Sequence, residues 1–298
     1  MSKTINHTIC PLCGAAAISK VYTVKDASVS QQRFDIYHCS SCQLRFTQDA
    51  PDENSIGEYY KSENYISHTD SSKGLINRLY RYVRGMAINQ KTKLIIKITA
   101  TRNGNLLDVG SGTGYFAAAM KTAGWHVTGL EPDKGAREVA EKQHGLTLQS
   151  TEQLFNLPEK TFDAITLWHV LEHVHDVKKY IATFKKLLKP GGKLFIAVPN
   201  YRSYDAETYK EHWAAYDVPR HLYHFTADTM QWLMRDAGLK IESIRPMWFD
   251  SFYVSLLSSK YKNGSTNWIG AVWTGFISNL KAMSDVRNCS SVIYITSE

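Results

Sequence analysis

The chain has 298 residues, 43% of them hydrophobic and 21% charged, a balance that excludes a chain too polar to fold and fits one large domain with a smaller module. The opening MSKTINHTICPLCG lacks the basic-then-apolar run of a signal peptide, and no stretch supplies the roughly 18 uninterrupted apolar residues of a membrane span. A cytoplasmic protein is therefore expected. The net charge of +7 has a local source, because eight basic residues and no acidic one lie between Lys73 and Arg102.

In chain order the first feature is a pair of knuckles, Cys10-Pro-Leu-Cys13-Gly14 and Cys39-Ser-Ser-Cys42, with 25 residues between them. Two residues between cysteines let both thiolates reach one ion, and two such turns complete a tetrahedral Zn²⁺ shell of Cys10, Cys13, Cys39 and Cys42. Disulfides or a redox pair are the rival readings, the first disfavoured in a reducing compartment and the second needing one knuckle only. A closed four-thiolate shell has no position for water, so the metal is expected to fold the module. The alternation in VYTV and RFDIYHC predicts short strands, hence a zinc ribbon over residues 1–48.

Residues 49–100 read as a basic helical connection. Its cations, Lys73, Arg78, Arg81, Arg84, Lys91, Lys93 and Lys97, with Arg102 just beyond it, fit a phosphate-bearing substrate, RNA or an anionic membrane surface. They fit equally well the solvated side of a helix whose apolar side carries Leu75, Ile76, Leu79, Tyr80, Val83 and Met86.

From residue 101 onward strands and helices alternate, which predicts helices packed on a mostly parallel sheet. Asn105–Gly110 reads as a strand, Ser111–Gly114 as a glycine turn, and the following residues as a helix. Trp125–Leu130 reads as a second strand ending in Glu131, 21 positions after Gly110, where an acid can accept the hydroxyls of an adenosine ribose. A dinucleotide fingerprint needs G-x-G-x-x-G, but Tyr115 occupies its last position, which weakens that reading. Asp108 before G-x-G-x-G suits a cofactor bearing an ammonium and a sulfonium.

The pieces LLDVGSGTGYF (106–116), GLEP (129–132), FDAITLWHVLEHV (162–174) and LKPGGKLFIAVPN (188–200), in this order, resemble the class I S-adenosylmethionine-dependent methyltransferases over about residues 101 to 298. The resemblance implies a doubly wound, Rossmann-like sheet of seven strands with the last antiparallel. It implies S-adenosylmethionine as cofactor, with Asp108, Gly110, Gly112 and Gly114 around its methionine part, Glu131 on its ribose and Tyr115 as a further cofactor-binding candidate. Its adenine contact falls within Ser150–Gln153, with Gln153 as a candidate, and Trp168 is a further cofactor-binding candidate.

Methyl transfer needs an acceptor held in line and, for a hydroxyl, a base. His169, Glu172 and His173 follow the fourth strand, and Arg220 and His221 lie in the long connection after the fifth. His173 or His221 is the expected base, with His169 as a further candidate and Arg220 placed to hold an anionic or carbonyl group. Some relatives, among them ubiquinone-biosynthesis O-methyltransferases and small-RNA 2′-O-methyltransferases, hold a divalent ion with Glu-x-x-Glu-His, and His169 stands here where they have the first Glu. The alternative role for Glu172 and His173 is to cap a helix or brace the site. Thr226 is expected to cap the next helix.

Ile241–Arg245 and Ser291–Thr296 read as the last two strands. The insertion between them, about 250–288, predicts an interior helix or a homodimer contact, with peripheral membrane contact as the alternative. Cys289 reads as a buried small hydrophobe. Three functions remain: a methyltransferase of a small polar metabolite such as a sugar or sugar nucleotide, an RNA methyltransferase gripping phosphates with its ribbon and basic helix, and a non-catalytic zinc-ribbon binding protein.

Overall fold

The computed structural model describes residues 4–60 and 75–298. Lys73 lies outside the described residues, as do the side chains of Leu75, Ile76, Arg78, Leu79, Tyr80 and Arg81. Near the N-terminus β1 (Thr4–Ile5) pairs with β5 (Ala50–Pro51), and β2 (Ile18–Lys25), β3 (Arg33–Cys39) and β4 (Arg45–Thr47) form an antiparallel meander. A long helix, α1 (Leu75–Thr99), follows.

The central sheet contains β6 (Asn105–Val109), β7 (His126–Leu130), β8 (Phe162–Trp168), β9 (Leu188–Pro199), β11 (Lys240–Pro246) and β12 (Ser291–Ser297), in the order β11-β12-β9-β8-β6-β7. β7, β6, β8 and β9 run parallel, and β12 lies antiparallel between β9 and β11. The α/β expectation therefore holds, with one correction. Six of the seven strands form, and the third in chain order is reduced to a single bridge, Leu130 to Gln149. Only a few residues separate the left-handed cap Gly145 of α3 (Lys134–His144) from the turn at Thr151–Asn156, and Leu146 and Leu148 are buried in between, so the ladder stops after two backbone bonds.

Helices pack on the sheet by burying one stripe. In α4 (Val177–Leu187) that stripe is Val177, Ile181, Phe184 and Leu187, and Asp176 caps its start by accepting the Lys179 N–H. Thr226 likewise accepts the Thr229 N–H at the start of α6 (Ala227–Asp236), as expected from sequence. α2 (Tyr115–Thr122) follows β6, and a short helix, α5 (Tyr204–Tyr209), opens the connection after β9. The insertion forms a helical hairpin of α7 (Asp250–Asn263) and α8 (Trp268–Ser284).

The ribbon does not stand apart from the sheet domain. β10 (Tyr223–His224), from the connection after β9, adds to β4, with Tyr223 opposite Phe46. Cys10, Cys39, Cys42, Leu44 and Phe46 share one apolar core with Leu222, Phe225 and Leu233. The chain leaves β6 toward β7 on one side and returns to β8 on the other. The carboxyl ends of β6 and β8 thus flank the topological switch point, where open α/β sheets bind ligands.

Candidate active site

The turn after β6 is built for close approach. Gly110 has φ +72°, and a Cβ there would lie 2.5 Å from Val170 Cγ2, so the segments after β6 and β8 touch. The Gly110 and Ser111 N–H groups donate to the Leu130 carbonyl at 2.8 and 2.9 Å. Gly112 N–H donates to Glu131 Oε2 at 2.7 Å, and Asp133 N–H to Oε1 at 3.0 Å, fixing the carboxylate over the glycine turn. Burial raises the pKa of Glu131, and the two amide bonds oppose that shift.

Asp108 is buried beneath the same turn. Its Oδ1 accepts the Thr166 hydroxyl at 2.8 Å, whereas Oδ2 has no hydrogen-bond partner among the described residues. Burial pushes its pKa up to about 6. A buried carboxylate oxygen of this kind calls for a donor, and the ammonium of an S-adenosylmethionine would supply one with the matching charge. The Trp168 indole N–H is also buried without a partner among the described residues. Its ring meets Phe116 edge-on at 5.5 Å and carries the Lys91 ammonium 4.4 Å from its centroid. Tyr115 stacks under the Arg84 guanidinium at 3.9 Å and against the edge of His144 at 4.6 Å. Gln153 is exposed in the turn beyond the Leu130–Gln149 bridge. Glycine loop, Glu131 and Asp108 fit the expected cofactor.

After β8 the chain makes a short helical turn, Leu171–His173, which faces the connection carrying His221. His173 Nδ1 lies 3.0 Å from the Arg220 carbonyl oxygen and 3.0 Å from the Tyr60 hydroxyl. His221 Nδ1 lies 2.8 Å from the Ala215 carbonyl oxygen. A carbonyl can only accept, so both Nδ1 atoms carry a proton, and the neutral His173 ring keeps its lone pair on Nε2. The two rings meet edge to face at 4.5 Å. Glu172 is fully buried between them and His169, and its Oε2 has no hydrogen-bond partner among the described residues. Glu172, His173 and His221 each offer a ligand atom within 4.8 Å of the others. Burial, helped by the nearby His221, pushes the His173 pKa down to about 4.

Two expectations are corrected here. His169 is not a free base: Nε2 lies 2.9 Å from Asp250 Oδ2 and Nδ1 3.3 Å from Glu172 Oε1. Burial opposes its charge, but the two carboxylates outweigh it and lift the pKa to about 10, so the ring is an imidazolium. The metal-competent group accordingly contains His221 in place of His169. Arg220 does not present itself to a substrate either. Its buried guanidinium donates to Asp217, to Asp26 Oδ1 at 3.0 Å and to the Tyr59 carbonyl at 2.9 Å, tying the ribbon to the connection after β9.

The four knuckle cysteines converge. Cys10 and Cys42 Sγ are 3.5 Å apart, Cys13 and Cys39 Sγ 3.6 Å, and all four sulfurs lie within 4.8 Å of one another. Tetrahedral ligands about 2.3 Å from one Zn²⁺ stand roughly that far apart. The thiol set fits the metal.

A methyltransferase-domain family model matches residues 68–244, more than half of the chain. The chain belongs to the class I S-adenosylmethionine-dependent methyltransferases. A ubiquinone biosynthesis O-methyltransferase of Xanthomonas oryzae pv. oryzae is 32% identical over 160 residues, covering 49% of this chain and 66% of that one. Another of the same name, from Xylella fastidiosa, is 31% identical over 172 residues and covers 52% and 69% of the two chains. This methyltransferase thus spans about two thirds of the length of such relatives. Its fold is shared by an S-adenosylmethionine-dependent methyltransferase of Archaeoglobus fulgidus, with 17% identity, coverage of 72% and 94%, and a TM-score of 0.50. The 1,6-didemethyltoxoflavin N1-methyltransferase of Burkholderia thailandensis gives 16% identity, coverage of 87% and 97%, and the same TM-score of 0.50.

Three groups of the methyltransferase site escaped the sequence reading. Lys91, on α1, is held near Asp108 and Asp250; burial lowers its pKa while both carboxylates raise it. Its signal was a lysine sharing a helical face with Ile88 and Ile95, both packed in the core. Part of the basic segment therefore faces the site and not solvent. Asp250 opens the insertion, and Tyr60 precedes the undescribed residues; neither has a local pattern that marks it.

Proposed function

We propose that this methyltransferase methylates a hydroxyl oxygen of a small polar acceptor, of the sugar or sugar-nucleotide class, with His173 as the base. The observation that carries this reading is the Nε2 lone pair of His173 beside His221 and Glu172, at the switch point that also holds the glycine turn. The O-methyltransferase names of the relatives support oxygen as the acceptor atom.

Asp108, Gly110, Gly112 and Gly114 would hold the methionine part of S-adenosylmethionine, with Tyr115 closing that end. Glu131 would accept from the ribose, and Gln153 and Trp168 would flank the adenosine. The cofactor supplies an electrophilic methyl on a sulfonium. Trp168 and Phe116 exclude water from the cofactor wall, which strengthens every charge inside. His173 Nε2 is placed to take the acceptor hydroxyl's proton, while the Arg220 carbonyl and the Tyr60 hydroxyl keep Nδ1–H in place. Glu172, held ionised by the His169 imidazolium, stabilises the positive charge that His173 gains. The four cysteines would hold a structural Zn²⁺, which would fix the ribbon under β10.

A second reading has an observation of its own. The unpartnered Glu172 Oε2 and the mutual reach of Glu172, His173 and His221 suit a divalent cation beside the acceptor. In that case turnover falls on chelation and returns with Mg²⁺ or Mn²⁺, under conditions that leave the ribbon's zinc bound.

The test is transfer of a labelled methyl group from S-adenosylmethionine to separate pools of sugar nucleotides and of RNA. Label in the sugar-nucleotide pool is expected. Label in RNA alone would replace the substrate class, and failure to bind the cofactor would favour a non-catalytic ribbon protein. Among the described residues no helix is long and apolar enough to cross a membrane.

A further inference from the structure

Helix α8 packs on its own chain through its small residues. Ala271, Gly275, Ser278 and Ala282 are buried, and a Cβ on Gly275 would come within 3.0 Å of the Phe252 Cα in α7. The opposite side carries Ile269, Val272, Trp273, Phe276, Leu280 and Met283, each between 45% and 86% exposed. This inverts the usual order, in which the large apolar face points inward. The six residues follow one helical stripe, with Ile269, Phe276 and Met283 spaced by seven.

Size and charge say what covers the stripe. At about 200 Å² per large side chain, its exposed parts amount to roughly 700 Å², beyond the patch an ordinary monomer leaves open and close to the roughly 800 Å² each partner buries in a standard interface. No charged residue lies on it. The only charge on α8, Lys281, is turned over the Tyr204 ring, 4.5 Å from its centroid. Thr274, Asn279 and Ser284 separate the stripe from the rest of the helix. A face built for anionic lipid would carry lysine and arginine along its edges; the α8 residues that flank this one, Thr274, Asn279 and Ser284, are neutral. Such a stripe suits two copies of a chain with net charge +7, because it brings no like charges of its own together. The seven-residue spacing is that with which two helices interlock side chains.

We infer that α8 is the contact through which two copies of this chain form a twofold dimer. Both copies use the same stripe, as an isologous interface requires. Analytical ultracentrifugation of the full, zinc-loaded chain at micromolar concentration tests it. The wild type is expected at twice the 33.8 kDa chain mass. Ile269→Lys, at the most exposed position, and Phe276→Glu, at the centre, should each weaken the dimer by about a hundredfold or more and leave the affinity for S-adenosylmethionine unchanged. Three results would overturn the inference: a monomeric wild type, a dimer that neither variant weakens, or a monomer that instead floats with phosphatidylcholine–phosphatidylglycerol vesicles. Should a variant fail to fold, the mass of the wild type still decides.

Discussion

The Nδ1 atom of His173 sits 3.0 Å from the carbonyl oxygen of Arg220, the residue next to His221. This single bond assigns the tautomer of the imidazole and aims its basic nitrogen away from the backbone. It also links the turn after β8 to the connection after β9, so the candidate base depends on two segments that are distant in sequence.

His173→Ala should therefore lower kcat by about 10²–10⁴-fold, the ordinary contribution of a positioned base, while the dissociation constant for S-adenosylmethionine stays as it was. His221→Ala should have a smaller effect. Titration calorimetry and initial rates separate the two quantities; full turnover in both variants would remove the base assignment.

Cofactor affinity should depend on pH through Asp108. Its carboxyl, pushed up to about 6 by burial, is neutral below that pH and offers no charge to the ammonium. Lys91 opposes the shift and Glu131 adds to it. Affinity should thus weaken as pH falls through about 6, and Asp108→Asn should bind at least about tenfold more weakly at neutral pH with that dependence gone. An unchanged profile in the variant would assign the titration to another group.

The Asp26–Arg220 pair should matter for stability. Both side chains are essentially inaccessible, so Asp26→Ala leaves a buried guanidinium with Asp217 and the Tyr59 carbonyl and should cost about 3 kcal/mol. Urea unfolding measures it. A loss below about 1 kcal/mol would mean that the pair behaves like a surface contact.

Elemental analysis should find one zinc per chain, lost in Cys10→Ser. Because Cys10 and Cys42 share a core with Phe46 and Tyr223, the damage should spread into the sheet domain. We expect a loss of about 4 kcal/mol and a melting temperature lower by roughly 8–16 °C. A variant without zinc that melts with the wild type would show that the cysteines do not hold a structural metal.

Local chemistry made much of this molecule legible in its sequence. The knuckle spacing, the glycine turn after a buried strand, Glu131 at the end of the next strand and the Thr226 cap each depend on residues close in the chain, where steric and hydrogen-bonding rules act directly. The α/β class followed from the alternation of periods. Three-dimensional packing decided the rest. The third strand dwindled to a bridge because its neighbours left it too short. His169 became an imidazolium because the insertion delivers Asp250 from 81 positions away. Arg220 became a tie to the ribbon through Asp26, at a separation of 194, and His221 took the place of His169 in the metal-competent set with Glu172 and His173. A charge's role is set by which opposite charges and how much water surround it, and those neighbours are assembled by the folded chain from segments that share no local pattern.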